Sequence, residues 1–371
     1  MRTVLVAAVA CILLMGGTLL VLEGGYAVLR GGQPAPSVTY QTLAMLGLTR
    51  SPTTGKEAAY APFFSQPEEL SDLLELMKAS AVGVGNSPFR DAMSGDAAIN
   101  TTVDGCPAVK PNLRKTAFFL RTNAFNPFDP PTIFHDVGKT LDPRLVAFFD
   151  RYGTSPVSLS TNAQGERVTD PLVERPRKVL VAGDSVAFGA MVDDSETISS
   201  HLQKRDDARQ YVNLGVAGVD AEAILCRLED AARRYRGAID ELVYVYCEND
   251  FQPKRPFGRP GEVIDRLRQF AAREKIGKVT VVFSPYIYMV APELTRFSGH
   301  FGASYHYRAE ERRELEEAVK AAGFRWVDIG LLAKEEEARS RTRYAIFSLF
   351  VDQNHLSPAG AGRLVDALHA K

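Results

Sequence analysis

The chain has almost no net charge: 44 Lys and Arg stand against 45 Asp and Glu over 371 residues. It lacks the field that would draw a polyanion, so a nucleic-acid partner is not expected. Cysteine is scarce as well. Cys11, Cys106, Cys226 and Cys247 form no C-x-x-C pair and no Cys/His group with metal-ligand spacing, so neither a disulfide scaffold nor a metal site is expected. Cys226 and Cys247 sit in apolar runs and read as core residues rather than as halves of a bridge. Internal repeats and long low-complexity tracts are missing too, which excludes solenoids and arrays. What remains, 45% hydrophobic and 24% charged, is the make-up of a globular protein that can bury a sizeable core.

One long apolar run is present, from Thr3 to Leu22, between Arg2 and Glu23. As a helix it is long enough for the ~30 Å hydrocarbon core of a bilayer. A cleaved signal peptide has a shorter apolar stretch and ends in small residues, and no good site of that kind follows Leu22. Residues 1–30 are therefore expected to be an uncleaved, single-pass membrane anchor, with Cys11 an apolar residue within it. The short basic flank at Arg2 puts the rest of the chain outside the cytoplasm, periplasmic or extracellular. Residues 31–175 read as a stalk followed by an accessory region of mixed structure. Within it, Glu68 to Ala79 has helical apolar spacing, and Asn126 to Pro131 carries three prolines and cannot be regular. Val157 to Thr169 fits a hairpin or edge strand turning at Asn162-Ala163-Gln164-Gly165.

After Arg175 the pattern becomes regular. Five short β-rich runs, Lys178–Ala182, Tyr211–Leu214, Glu241–Cys247, Lys278–Phe283 and Arg325–Ile329, alternate with helical patterns at Thr197–Lys204, Ala221–Tyr235, Glu262–Glu274 and Ala309–Ala322. A last helix, Pro358–Ala370, follows the N-cap candidate Ser357. Alternating strands and helices predict βαβ units and a parallel sheet covered on both faces, here over residues 176–371. In such sheets ligands bind beyond the carboxyl ends of the strands.

Four segments fall at those ends. The first strand runs into Gly183-Asp184-Ser185, a tight strand-to-helix turn that presents a hydroxyl beside a helix N-terminus, where developing negative charge is stabilised. The second runs into Asn213-Leu214-Gly215-Val216-Ala217-Gly218, whose glycines let backbone N–H groups approach a ligand. The third ends in Cys247-Glu248-Asn249-Asp250, where an amide can donate to an oxyanion. The final loop holds Asp352-Gln353-Asn354-His355, in which a carboxylate three residues before an imidazole can set its tautomer. Each segment alone reads as a turn, a loop or a cap; it is their placement on one sheet edge that carries weight.

In this order the four segments resemble the sequence blocks of the SGNH subgroup of GDSL hydrolases. The resemblance covers about residues 176–371, and Ser160 to Arg167 is similar to the approach to the first block in anchored bacterial relatives. It implies a three-layer α/β/α sandwich, flavodoxin-like, with a five-stranded parallel sheet. It further implies Ser185 as nucleophile, His355 and Asp352 as its partners, and an oxyanion hole from Ser185, Gly218 and Asn249. Where the family often has Gly-x-Asn-Asp, this chain has Cys247, which implies a changed wall of the site with the oxyanion asparagine retained. The activity implied is serine-dependent ester hydrolysis, with no metal or organic cofactor. O-acetyl groups on extracytoplasmic carbohydrate are the expected substrate, given the tether. O-acetyl transfer to a polysaccharide, lipase or lysophospholipase activity, and a non-catalytic glycan-binding scaffold stay open as alternatives.

Three features carry no assigned role. The aromatic-rich loop from Ser284 to Arg308 reads either as a lip for sugar or acyl groups or as packing against the accessory region. His300 and His306 lack acidic partners at metal-ligand spacing. Glu335-Glu336-Glu337 with Arg339, Arg341 and Arg343 reads as a solvated helix face.

Overall fold

The computed structural model describes Thr18, residues 99–119, 132–138, 140, 143, 156–247, 250, 259–286, 290, 309–340, 346–351 and 354–370. Apart from Thr18, the Thr3–Leu22 stretch lies outside these residues, as do the Glu68–Ala79 pattern, Asn126–Pro131 and most of the aromatic loop. Among the described residues no helix is long and apolar enough to cross a membrane.

Five strands form the parallel sheet: β6 (Lys178–Gly183), β7 (Gln210–Asn213), β8 (Ile239–Cys247), β9 (Lys278–Ser284) and β10 (Arg325–Asp328). Their spatial order is β10-β9-β8-β6-β7, and every neighbouring pair is parallel. The expected runs match these strands to within two residues at each end. Val179 to Ala182, Leu242 to Cys247 and Val281 to Phe283 are buried without a break, the mark of strands covered on both faces.

The covering helices follow from the strand order. From β6 the chain first steps outward to β7, then returns past β6 to β8, β9 and β10 in the opposite direction. Right-handed crossovers therefore put the β6–β7 helix on one face and the later ones on the other. The packing agrees. On one side α3 (Ala221–Arg234) packs on α4 (Pro260–Glu274), which packs on α5 (Ala309–Ala321). Elsewhere α2 (Ile198–Gln203) packs on α8 (Pro358–His369), which also meets α6 (Ile329–Ser340) and the short α7 (Ile346–Leu349). In α3 the buried positions Ala221, Ile224, Leu225, Leu228, Ala231 and Ala232 recur at helical spacing and form one apolar stripe. Ser357 caps α8 as expected, its hydroxyl accepting from the Gly360 N–H at 3.0 Å, with Pro358 in the first turn.

Ahead of this sheet lie smaller ones. A hairpin joins β1 (Asn100–Val103) to β2 (Cys106–Val109), and β3 (Arg114–Phe119) is flanked by β4 (Thr132–Asp136) and β5 (Val157–Ser160) in an antiparallel sheet. The predicted hairpin is present: Thr161 bridges to Arg167, and the Gly165 N–H donates to the Asn162 carbonyl at 3.0 Å. These strands share a core with the sheet's connecting segments, since Ile99, Val109 and Leu159 pack with Phe188, Val216 and Ala217. The Ile, Val, Leu and Phe side chains among them each stabilise by roughly 1.5–3 kcal/mol when fully buried.

The cysteine expectation needs correction. Cys226, on α3, is bonded to Cys106 at the start of β2, with Cα atoms 5.6 Å apart, while Cys247 is buried and outside any disulfide. An apolar stripe tells which side of a helix is covered but not what covers it. Here β2 packs on α3 and brings the second sulfur. The bridge spans 120 residues of sequence, and closing a loop of that order stabilises by about 4–5 kcal/mol in the chain-entropy picture. A Cys106→Ser/Cys226→Ser variant should thus lose about 2–5 kcal/mol in denaturant titrations. Reductant should bring the wild type to the same midpoint and leave the variant unmoved; equal stability of oxidised wild type and variant would refute this.

Candidate active site

Ser185 opens α1 (Ser185–Phe188), a single helical turn directly after β6. The turn is tight because Gly183 and Gly215 leave no room for side chains. A Cβ on Gly183 would lie 2.7 Å from the Val245 carbonyl oxygen, and one on Gly215 would lie 2.1 Å from the Phe188 nitrogen. Asp184 is the N-cap, its carboxylate accepting from the Val186 N–H at 2.9 Å. The expected helix N-terminus is therefore real but only four residues long, and a carboxylate already takes one of its N–H groups.

His355 arrives from the segment before α8. That segment is folded back on α7 by the Val351 N–H donating to the His355 carbonyl and the Ser357 N–H donating to the Leu349 carbonyl, both at 2.9 Å. Its Nε2 stands 2.8 Å from Ser185 Oγ, and both residues are buried. A general base must lie within about 2.6–3.2 Å of the atom whose proton it removes, and this pair meets that condition. With Nε2 facing a hydroxyl, the imidazole can accept that proton when its own N–H is on Nδ1. Beside the pair a small cleft is walled by Val186, Val192, Ile198, Leu356 and Ala361.

The remaining predicted residues divide. Gly218 lies in the loop after β7 with φ +71°, a left-handed conformation that suits glycine. That loop runs beside the serine turn, since the Val216 N–H donates to the Gly183 carbonyl at 3.2 Å. It is also anchored by the Asn100 amide on the Ala217 carbonyl at 2.7 Å. Asn213 is buried, its amide donating to the Ala187 carbonyl and its oxygen accepting from the Gly215 N–H, each at 3.0 Å. Asn249 and Asp352 lie outside the described residues. Cys247, the last residue of β8, and Asp250, which directly follows Asn249, are both buried. Cys247 Sγ lies 3.9 Å from the side-chain amide of Asn354, next to His355. Among the described residues no group of His, Cys, Asp and Glu could hold a metal ion.

Asp250 enters the sequence pattern only as the last residue of Cys247-Glu248-Asn249-Asp250. Its carboxyl accepts from the Cys247 N–H at 3.1 Å. Burial first, then the nearby Asp184 and Asp220 carboxylates, push its pKa well above the usual carboxylate range. In the unfolded chain the same group ionises near pH 4. Its contribution to stability is therefore fully present below that pH and declines as pH rises towards the folded value. Asp250→Asn keeps an acceptor and removes the charge. Denaturation midpoints from pH 4 to 8 should show the variant gaining on the wild type as pH rises; a constant difference would contradict the raised pKa. Gly215→Ala should cost at least about 1–3 kcal/mol, the usual range for overpacking, read as a lower midpoint in denaturant titration.

No family model matches the chain, and no curated protein matches it. The chain is similar to several solved structures. One is a member of the lipolytic protein G-D-S-L family from Veillonella parvula, at 14% identity and TM-score 0.39, with 52% of this chain and 97% of that one covered. A second is the lipase/acylhydrolase from Enterococcus faecalis, at 18% identity and TM-score 0.37, covering 52% and 93%. A third is a catalytic mutant of an acetylxylan esterase from Geobacillus stearothermophilus, at 17% identity and TM-score 0.36, covering 53% and 94%.

Proposed function

We propose that the protein is a serine esterase that removes acyl groups, above all O-acetyl, from carbohydrate outside the cytoplasm. The observation that carries the reading is the 2.8 Å approach of His355 Nε2 to Ser185 Oγ at the carboxyl edge of a parallel sheet. Ser185 and a histidine 170 residues away in sequence are brought within hydrogen-bond reach there only by the fold.

In the proposed reaction His355 takes the Ser185 proton as Oγ attacks the ester carbonyl, and Asp352 holds the imidazole and supports its charged form. The oxyanion accepts hydrogen bonds from the Ser185 and Gly218 N–H groups and the Asn249 amide, each such donor contributing about 3–4 kcal/mol to the barrier reduction. His355 returns the proton to the departing alcohol. Water, deprotonated by the same imidazole, then releases the acid from the acyl-serine. The compartment is supported by the Cys106–Cys226 bond, since disulfides persist in oxidising surroundings, and by the apolar N-terminal stretch. The carbohydrate substrate is inferred from that location.

The test is turnover of p-nitrophenyl acetate and longer-chain esters, beside Ser185→Ala and His355→Ala. Each variant should lose about 10³-fold or more in kcat, because members of such a unit fail together. Fluorophosphonate should label the wild type on Ser185 and not the Ser185→Ala variant. Ser185 labelling without hydrolysis would shift the reading to acyl transfer onto a sugar hydroxyl. A folded wild type that neither turns over nor labels would refute the esterase.

A further inference from the structure

The largest side chain buried almost completely in the described chain is Arg167; its backbone bridges to Asn213 at the end of β7, and it is outside the proposed catalytic set. It comes from the returning limb of the hairpin that turns at Asn162–Gly165. Its Nε donates to Asp194 Oδ1 at 2.6 Å. Nη1 donates to the carbonyls of Phe188 and Gly189 at 3.4 and 3.1 Å, and Nη2 to those of Ser158 and Val192 at 3.0 and 2.9 Å. The guanidinium also lies over the Phe188 ring, 4.9 Å from its centroid. Phe188, Gly189, Val192 and Asp194 all belong to the segment that leaves Ser185.

That segment needs an outside hold. A one-turn helix leaves its last carbonyls without partners of its own, and a cation at its C-terminus both satisfies them and complements the helix dipole. The turn is short enough for the hold to reach the serine, because the Gly189 and Ala190 N–H groups donate to the Ser185 carbonyl at 3.0 and 3.1 Å. The hairpin side is fastened in turn. Asp193 accepts from the Ser158 N–H and Asp194 from the Ser160 N–H, each at 3.0 Å. Glu166 accepts from Arg234, Tyr235 and Asn162.

We propose that Arg167 is a positioning residue for Ser185: by capping α1 and holding residues 188–194 it keeps Oγ within reach of His355. This rests on Ser185 and His355 being the reacting pair. Arg167 is buried and is not among the residues that wall the cleft beside the pair. Its deletion therefore acts on the serine's placement, and a misplacement of about 1 Å costs roughly 10²-fold in rate.

The test uses the full chain with Arg167→Met, Arg167→Lys and Asp194→Asn, with circular dichroism to establish folding. In folded Arg167→Met, kcat on p-nitrophenyl acetate should fall about 30- to 100-fold while KM changes little. Arg167→Lys should recover only part of this, because one ammonium cannot span the fork of acceptors. Asp194→Asn keeps an acceptor at Oδ1 and should lose less. The nitrogen resonances of the His355 imidazole give a readout independent of turnover, and they should move in Arg167→Met as the serine partner shifts. Unchanged kcat together with an unchanged imidazole spectrum in folded Arg167→Met would overturn the proposal. If Arg167→Met does not fold, Asp194→Asn decides by the same two readouts. If the wild type hydrolyses no ester, the esterase reading fails by itself, and the imidazole spectrum still decides whether Arg167 places the pair.

Discussion

Ser185 stands on a helix of one turn, and a helix that short has too few internal hydrogen bonds to hold its own shape. Whatever geometry the serine has must come from outside the helix. The sheet supplies part of it through β6 below and Asn213 on β7, which takes the Ala187 carbonyl. The hairpin supplies another part through Arg167 on the Phe188, Gly189 and Val192 carbonyls. Phe188 supplies a third by entering a core made with Ile99, Val109 and Leu159. The strands before the sheet are thus part of what presents the serine.

Helix α3 is where much of this support is fastened. Cys226 bonds to β2, Arg227 donates to the Gln164 and Gly165 carbonyls at 2.9 and 3.1 Å, and Arg234 pairs with Glu166. Gly165 is required at the turn because its φ is +68° and a Cβ there would come within 2.1 Å of the Val109 carbonyl oxygen. Such buried charges contribute little net stability when paired, but removing one partner strands the other and costs several kcal/mol. Arg167 and Glu166 have these partners only when hairpin, α3 and serine turn are docked together.

The parallel sheet, its five strands and the helices between them were legible because burial on both faces forces continuous apolar runs, and helix faces repeat at i, i+3 and i+4. Ser357 and Pro358 announced α8 through local capping chemistry. The meeting of Ser185 with His355 was legible only through motif order and its resemblance to a family, for no local rule joins residues 170 apart. Asp250 was visible only as part of a motif, since its shifted pKa arises from burial and from carboxylates that folding brings near it.

What the sequence by itself determined was periodic and local: the sheet's strands, the α2, α3, α4, α5 and α8 helices, the hairpin turn at Asn162–Gly165, and the placement of candidate residues at strand ends. Tertiary structure alone decided the Cys106–Cys226 bond, the burial of Arg167 against five acceptors, and the docking of the early strands on α3 and α1. Periodicity reports which face of an element is covered, whereas the identity of the covering partner depends on contacts across long stretches of chain. A cysteine on an apolar stripe and an arginine after a turn look ordinary until the chain closes around them.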